Sequence, residues 1–396
     1  MINANDYIRS NDSETLNAAI AARGADGIVV ISPRVSDVDP ERDFWLLDEA
    51  ILLPENTTVI LNNCKIKLSD TCRDNFFRTA NCGLGIADPA PISNIHLRGE
   101  GLCILEGADC PRSTGDGGKI LANPILYGDG HDKTFGSDAG KEGESQYGDW
   151  RNIGVLFANV TNFSIEHLKI VESHAWGISL EACSYGRVEK IEFDACMSKM
   201  IDGLRQNIEN EDGVDLRNGC HHIVISDITG QSGDDLVALT AIADEQPHEG
   251  GELCYTHVMH NDWSRRDATI HDVVIRNVIG RSHLCYMIRL LPCNTEIYNI
   301  VVDGVIDTTP EPTGHSGVMV LGEPDGIYGT CTPNGLHHIT ISNVISNGRK
   351  AGISVKGYLK NSTVSNFINK NPKVQSILVA RENGLQNVNI SGGTIQ

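Results

Sequence analysis

Short runs of alternating apolar and polar residues recur along the chain, and one or two polar residues come before each run. The preceding residue is often Asn or His, and the run itself is rich in Val, Ile and Thr. Alternation with a period of two in β-branched residues predicts β-strands. The clearest copies are Ser93–Leu97, Asn162–Ile165, His221–Ile225, His271–Ile275, Tyr298–Val302, His337–Ile341 and Gln386–Ile390.

The spacing of these runs predicts the fold. Aligned apolar residues are 23 apart from Ile165 to Val188, 25 from Ile339 to Val364 and 24 from Val364 to Val388. A longer interval of 70 residues separates Ile95 from Ile165, which implies an insertion. A repeat of about 24 residues with two or three short strands predicts an all-β solenoid, the right-handed parallel β-helix, in which each coil rises about 4.8 Å. The consensus of leucine-rich repeats is absent, and propeller blades of about 40 residues do not fit the spacing.

One segment has a helical pattern instead. Ser13–Ala22 places Leu16 and Ile20 on one face, with Ser13 expected as N-cap and Gly24 as the stop. We expect a short helical cap, within residues 1–30, that closes the apolar end of the solenoid. The chain is expected to form a single domain over 1–396, with loop insertions at 109–150 and 241–268 that carry no strand pattern.

Charge and composition indicate which classes of partner are not expected. The 396 residues contain 52 acidic and 32 basic side chains, so the formal charge is −20, and a nucleic-acid partner is not expected. No apolar stretch is long enough to cross a membrane, so no membrane partner is expected. The first residues lack the pattern of a secretory signal, which predicts a cytoplasmic protein, or a secreted one if a leader has been removed. The twelve cysteines form no CxxC pair and are expected to be reduced, buried thiols.

Carboxylates concentrate beside glycines in two turns, Asn210–Asp215 and Ser232–Leu236. Asp212 and Asp234 are 22 residues apart, close to one coil, so Asp212 and the pair Asp234 and Asp235 should lie on the same side of the solenoid. Crowded carboxylates raise at least one pKa in the group. A protonated carboxyl beside an ionised one is what acid–base cleavage of a glycosidic bond needs. Strand-end turn chemistry and a calcium site are the alternatives for this pattern.

These motifs resemble family 28 of the glycoside hydrolases, the polygalacturonases. The family's pattern reads Asn-Thr-Asp-Gly, then Gly/Gln-Asp-Asp, then Gly-His-Gly, then Arg-Ile-Lys, on consecutive coils. Asn210–Asp215 matches the first motif with Glu in place of Thr, and Gly233–Asp235 matches the second; the resemblance covers about residues 150–345. It implies an inverting hydrolase in which Asp234 is the general acid, while Asp212 and Asp235 position and deprotonate the water.

The third and fourth motifs depart from the family. His283 falls at or beside the family's histidine, without the following Gly, and residues 316–322 contain neither the arginine nor the lysine that grips the sugar carboxylate. Arg289 is a possible substitute. We therefore predict His283, Arg289, Trp176 and Asp215 as substrate-binding residues, with core or surface packing as the alternative for each.

No cofactor or metal is expected. The pairs His221-His222 and His337-His338, and the loop with His248, His257 and His260, show neither helical i,i+4 spacing nor CxxC. Their shared position in the repeat indicates turn residues.

The predicted function is hydrolysis of an O-glycosidic bond in an oligosaccharide or polysaccharide, from the end of the chain if the insertions close the groove. A β-helix lyase or epimerase is one alternative, and a carbohydrate-binding spike or adhesin is another. The oligomeric state stays open.

Overall fold

The computed structural model describes residues 1–35, 39–72, 74–83, 86, 88–111, 149–201, 203–208, 210–243, 257–259, 266–312, 314, 318–322 and 329–393. The chain forms two compact units. The first comprises Met1–Ser179, Asp194–Glu211 and His248–His260, and the second comprises Leu180–Phe193, Asp212–Pro247 and Asn261–Gln396.

Nearly all regular structure is strand. One α-helix, α1, spans Asp12–Ala21, and 3-10 helices span Ala4–Tyr7 and Asp149–Asn152. The strands in chain order are β1 (Ile2–Asn3), β2 (Ile28–Ile31), β3 (Trp45–Leu47), β4 (Ile51–Leu53), β5 (Thr57–Asn62), β6 (Lys65–Leu68), β7 (Phe77–Thr79), β8 (Ile92–Glu100), β9 (Ile104–Glu106), β10 (Val155–Ala158), β11 (Val160–Val171), β12 (Ile178–Glu181), β13 (Ser184–Asp194), β14 (Ser198–Ile201), β15 (Leu204–Asn207), β16 (Val214–Leu216), β17 (His221–Ser232), β18 (Val237–Ile242), β19 (Ile270–Ser282), β20 (Ile288–Cys293), β21 (Ile297–Asp307), β22 (Met319–Leu321), β23 (Leu336–Ser346), β24 (Ala351–Val355), β25 (Leu359–Asn369), β26 (Gln375–Val379) and β27 (Leu385–Ser391).

Parallel ladders build both units. In the first unit, β1, β2, β5, β8 and β11 pair in that order, and β4, β7 and β10 form a second ladder. In the second unit, β17, β19, β21, β23, β25 and β27 form one ladder, and β16, β18, β20, β22, β24 and β26 form the other. The only antiparallel pair among the described strands is the hairpin β14–β15. The all-β fold is therefore the parallel β-helix that the repeat predicted.

The N-terminal cap is present, but its first turn differs from the prediction. Asn11 is the N-cap, and its side-chain oxygen accepts the Glu14 N–H at 2.8 Å. Ser13 lies inside the helix, and its Oγ accepts the Asp48 N–H at 2.9 Å. The prediction of Ser13 as N-cap was wrong because Asn11 fills that role, which frees the Ser13 hydroxyl to fix the helix against the first coil.

Residues with positive φ turn the corners within the long strands. In β17 these are His222 (φ 54) and Asp227 (φ 57), and β19 has Asp272 and Asn277 at the matching places. Asn and Asp tolerate this left-handed conformation better than other residues that carry a side chain. Down the second unit the first corner is formed by the ladder His222, Asp272, Asn299, His338, Asn361 and Asn387. This corner ladder explains the polar residue before each β-branched run.

The register differs by two residues from some of the alignments made on the sequence. Val364 pairs with Ile341 rather than Ile339, and with Ile390 rather than Val388. In the first unit Ile95 pairs with Phe163 rather than Ile165. Because strand side chains alternate between faces, a slip of two keeps the same face inward and leaves the apolar pattern unchanged.

The predicted insertions fall mainly outside the described residues. Residues 112–148 of the segment 109–150, and 244–256 with 260–265 of the segment 241–268, are among those not described. Within the described part of the chain, no helix is long and apolar enough to cross a membrane.

Candidate active site

The pairing of β16 with β18 brings the two acidic turns together in the second unit. Val214 pairs with Val237, and the Gly213 N–H donates to the carbonyl of Asp235 at 2.8 Å. Asp212 therefore lies opposite Asp235 on the adjacent coil, with the two backbones about one strand spacing, ~4.8 Å, apart. Glycine is required at position 213, since a Cβ there would lie 2.3 Å from the carbonyl oxygen of Leu236.

The turn that carries Asp234 is held by two serine hydroxyls. Ser232 Oγ donates to the backbone carbonyl of Asp234 at 2.8 Å, and Ser282 Oγ, from the next strand of the ladder, donates to the same oxygen at 2.6 Å. The Asp234 side chain is partly exposed, and its Oδ1 has no hydrogen-bond partner. The Asp234 turn is therefore fixed through its backbone, and the side chain makes a hydrogen bond with Cys285.

Asp235 is enclosed by the following coil. It is completely buried, its Oδ1 accepts the Tyr286 N–H at 3.0 Å, and its Oδ2 accepts Nη1 of Arg289 at 3.3 Å. Burial, followed by the negative charge of Asp234, raises the pKa of Asp235 to about 8, although the Arg289 guanidinium opposes the shift. The pKa of this carboxyl group is therefore raised from the ordinary acidic range toward neutral pH.

Asp215 adds a fourth carboxyl group to the cluster. It is 1% exposed, and burial raises its pKa well above the ordinary range, with Arg217 opposing the shift and the charge of Asp235 adding to it. The pKa values of both Asp215 and Asp235 are raised, as expected, but burial is the larger cause and the neighbouring carboxylate charges are secondary. With so little exposure, Asp215 is placed to position its neighbours rather than to meet a large ligand directly, and its predicted contact with substrate stays a prediction.

Of the other predicted substrate-binding residues, Arg289 contacts the carboxylate cluster directly. Arg289 is 17% exposed and lies in the cluster. His283 Nε2 is 3.1 Å from Oε1 of Gln231, and burial, followed by the charge of Arg281, lowers the pKa of His283. Trp176 belongs to the first unit and is 7% exposed. Sugar binding by His283 and sugar stacking by Trp176 stay predictions.

Cys285 is the neighbour of the carboxylates that sequence reasoning missed. Its Sγ and one oxygen each of Asp234 and Asp235 all lie within 4.8 Å of one another. Burial, followed by the charges of Asp235 and Asp234, raises the pKa of the Cys285 thiol. A thiol that resists ionisation, with a guanidinium already bound to Asp235, makes this group a poor cation site. The offset of 51 residues between β18 and β20 would have pointed to Cys285 opposite Asp234.

A second contact that the sequence did not reveal joins two later coils. Lys356 Nζ donates to the hydroxyl of Tyr286 at 3.1 Å and lies 5.6 Å from the centroid of its ring. Tyr286 is the residue whose backbone N–H binds Asp235. This pair therefore supports the wall of the cluster from a strand two coils further along the chain.

Comparison with known proteins supports the fold. Solved structures that match include the family 28 exopolygalacturonase of Yersinia enterocolitica (12% identity, 98% of this chain and 78% of that one, TM-score 0.55), the endo-xylogalacturonan hydrolase of Aspergillus tubingensis (13%, 98% and 90%, 0.57) and the polygalacturonase of Erwinia carotovora ssp. carotovora (13%, 100% and 94%, 0.55). No protein-family model matches the chain, and no curated protein sequence does. At these identities the likeness shows the parallel β-helix fold.

Proposed function

We propose that this protein is a glycoside hydrolase that cleaves an O-glycosidic bond by an inverting mechanism. The observation that carries the proposal is the cluster of Asp212, Asp234 and Asp235 in one unit, in which burial raises the pKa of Asp235 to about 8. Glycoside hydrolysis needs a protonated and an ionised carboxyl group in one site. The three solved structures named above are two polygalacturonases and a xylogalacturonan hydrolase by their names, and they support the same class.

The roles follow from exposure. Asp234 is the partly exposed member, so it is the one able to reach a glycosidic oxygen and act as the general acid. A side-chain oxygen of Asp235 lies within 4.8 Å of a side-chain oxygen of Asp234. A proton bound by Asp235 is therefore available to Asp234. Asp212, in the turn before β16 on the adjacent coil, is assigned to deprotonate the water. In an inverting enzyme the acid and base carboxyl groups stand about 6.5–9.5 Å apart to leave room for that water.

The substrate is proposed to differ from plain galacturonan. The strand that would carry the basic pair of the family, β22, consists of Met319, Val320 and Leu321, and these residues and the preceding Val318 are fully buried. Arg289 pairs in register with Val320 and is a basic substitute on the neighbouring coil, but its guanidinium already contacts Asp235. A sugar without a carboxylate at the cleavage site, or with a substituted one, fits this site better.

Attack from the chain end is proposed for the same site. It rests on the lengths of the insertions 109–150 and 241–268, which are sufficient to close one side of a groove into a pocket.

The deciding experiment is a screen of oligosaccharides with detection of the product anomer by NMR. We expect the first product to carry the anomeric configuration opposite to that of the cleaved bond. An unsaturated product would instead assign the chain to the lyases. Saturable binding without turnover, unchanged in Asp234→Asn, would assign it to the carbohydrate-binding spikes. Retention of configuration would reject the inverting mechanism.

A further inference from the structure

Four histidine and tyrosine rings of the second unit stack along its long ladder. His221, His271, Tyr298 and His337 occupy matching positions on β17, β19, β21 and β23. The His221 and His271 rings are parallel within 2° at 5.0 Å, and His271 and Tyr298 are parallel within 10° at 4.8 Å. His271 is therefore held between two rings and cannot turn freely. The Tyr185 ring packs against His222 at 4.6 Å.

The stack brings three metal-ligating side chains to one point. Nδ1 of His271 is 2.8 Å from Oδ2 of Asp272, and Nε2 of His222 is 3.7 Å from the same oxygen. The three ligand atoms all lie within 4.8 Å of one another. Two ligands bound at about 2.1 Å in tetrahedral geometry are ~3.4 Å apart, so the two measured separations bracket the value that a single zinc ion would impose.

Neighbouring groups orient these ligands. The Asn299 side-chain amide donates to Oδ1 of Asp272 at 2.9 Å, which leaves Oδ2 for the histidines. Nδ1 of His222 is 2.9 Å from Nδ1 of His221. When His222 donates in that contact, its Nε2 carries the lone pair that a metal ion needs. Ligating histidines usually donate their other N–H to a neighbouring acceptor, and His221 provides one.

We propose that His222, His271 and Asp272 bind a divalent transition-metal ion such as Zn²⁺. Two imidazole nitrogens and one carboxylate oxygen suit ions of this class and do not suit Ca²⁺ or Mg²⁺, which take oxygen ligands. The His222 and Asp272 side chains are 43% and 36% exposed and the His271 side chain 16%, so an ion can reach the site from solvent and keep water in its remaining positions. The ion joins β17 to β19, whose ligands are 49 and 50 residues apart in the chain.

The chain contains a matched control. His337 and His338 repeat the pair His221 and His222, with the two Nδ1 atoms 2.7 Å apart. The adjacent coils have Tyr298 with Asn299 on one side and Lys360 with Asn361 on the other, where the proposed site has His271 with Asp272. Glu296 lies 3.2 Å from Nε2 of His337, but among the described residues the only groups of three ligand atoms within 4.8 Å of one another are the proposed site and the Asp234–Asp235–Cys285 group. The same type of corner therefore holds a histidine pair whose nearby carboxylate does not complete such a group.

The test is isothermal titration of Zn²⁺ into the full chain, free of any histidine tag and first treated with a chelator. We expect one saturable site, an affinity at least ~100-fold weaker in His222→Asn and in Asp272→Asn, and an affinity about 10-fold weaker in His221→Ala. His338→Asn should bind as the unaltered chain does. Asn occupies this corner in other coils, so these substitutions use a residue that the ladder already accepts. Zn²⁺ should also raise the melting temperature of the unaltered chain and of His338→Asn, and it should leave those of His222→Asn and Asp272→Asn unchanged.

A second measurement needs no variant. Binding of Co²⁺ should broaden the side-chain NMR signals of His222 and His271 before those of His337 and His338. Absence of saturable Zn²⁺ binding overturns the proposal. So does binding that survives both His222→Asn and Asp272→Asn, binding that is lost in His338→Asn, or broadening that begins at His337 and His338. Since the readouts are binding and melting, they do not depend on whether the chain hydrolyses a saccharide.

Discussion

Arg289 Nη1 lies 3.3 Å from Oδ2 of Asp235, on the strand one coil further along the ladder. The carboxyl group is completely buried and the guanidinium is 17% exposed, so the ion pair sits at the edge of the carboxylate cluster. The guanidinium lowers the pKa of Asp235. Burial and the charge of Asp234 raise it by more, so the net pKa is about 8. The pKa of Asp235 is therefore set by the Arg289 guanidinium, which favours the carboxylate, against burial, which favours the protonated form.

Removal of the proposed acid should abolish turnover without unfolding the chain. We expect Asp234→Asn to lower kcat by about 10²–10⁴-fold, the usual contribution of a general acid. The backbone contacts from Ser232 and Ser282 do not involve the side chain, so the melting temperature should stay close to that of the unaltered protein. Asp227→Asn is the matched control, because Asp227 is a corner residue that accepts the Asn277 amide at 3.0 Å. Comparable loss of activity in both variants would contradict the assignment.

The alkaline limb of the pH–rate profile should report Asp235. The group has a raised pKa of about 8, so its proton is present below that pH and is lost as the pH rises through it. We expect kcat/KM to fall above about pH 8. Arg289→Gln removes the cation that favours the carboxylate, so the pKa of Asp235 should rise and the limb should move to higher pH. Arg276→Gln, on the exposed face of β19, is the control and should leave the limb in place. A shift toward lower pH in Arg289→Gln would refute this electrostatic account.

The same group should make the stability of the protein depend on pH. In the unfolded chain the pKa of an Asp is about 3.9, whereas the folded value for Asp235 is about 8. Between these values the folded state binds more protons, so the free energy of unfolding falls as the pH rises through that window. Asp235→Asn removes this term, and its melting temperature should decline less than that of the unaltered chain between about pH 5 and pH 9. Parallel melting curves for the two proteins across that range would show that Asp235 is not the source.

Polygalacturonan should be a poor substrate. The buried residues Val318–Leu321 occupy the strand where the family carries its basic pair, and Arg289 is engaged by Asp235. We expect weak or no release of reducing ends from unsubstituted polymer, and higher rates on an oligosaccharide identified by the screen. Robust hydrolysis of the polymer would contradict the prediction. A rise in KM confined to Arg289→Gln would then identify Arg289 as the carboxylate-binding residue.

The mode of attack can be read from a time course. If the insertions close one end of the groove, one small saccharide should appear from the first time points while the viscosity of a polymeric substrate falls slowly. A closed end admits only the terminus of a chain, which is the physical reason for the single product. Early intermediates of many lengths, with rapid loss of viscosity, would show an open groove and internal cleavage.

The strands and corners of each coil could be predicted from the sequence alone. A β-branched run that follows Asn, His or Asp requires an extended chain after a corner with positive φ, and both preferences are local to a few residues. That is why the strands around Ile223, Val273 and Ile300 pair as the alignment predicted. The same local pattern does not distinguish registers that differ by two residues, as at Val364, because such a shift leaves the same face buried.

Only the tertiary structure decided which side chains meet. The chain between β18 and β20 sets an offset of 51 residues, whereas β16 and β18 are offset by 23, and no local preference encodes such lengths. The larger offset is what places Cys285 and Arg289, rather than His283, against Asp234 and Asp235. Burial likewise separates Asp235 from its neighbour Asp234, because solvent exclusion depends on the whole coil above. His222 and Asp272 show no metal-ligand spacing in the sequence, and they meet because a solenoid stacks residues one coil apart.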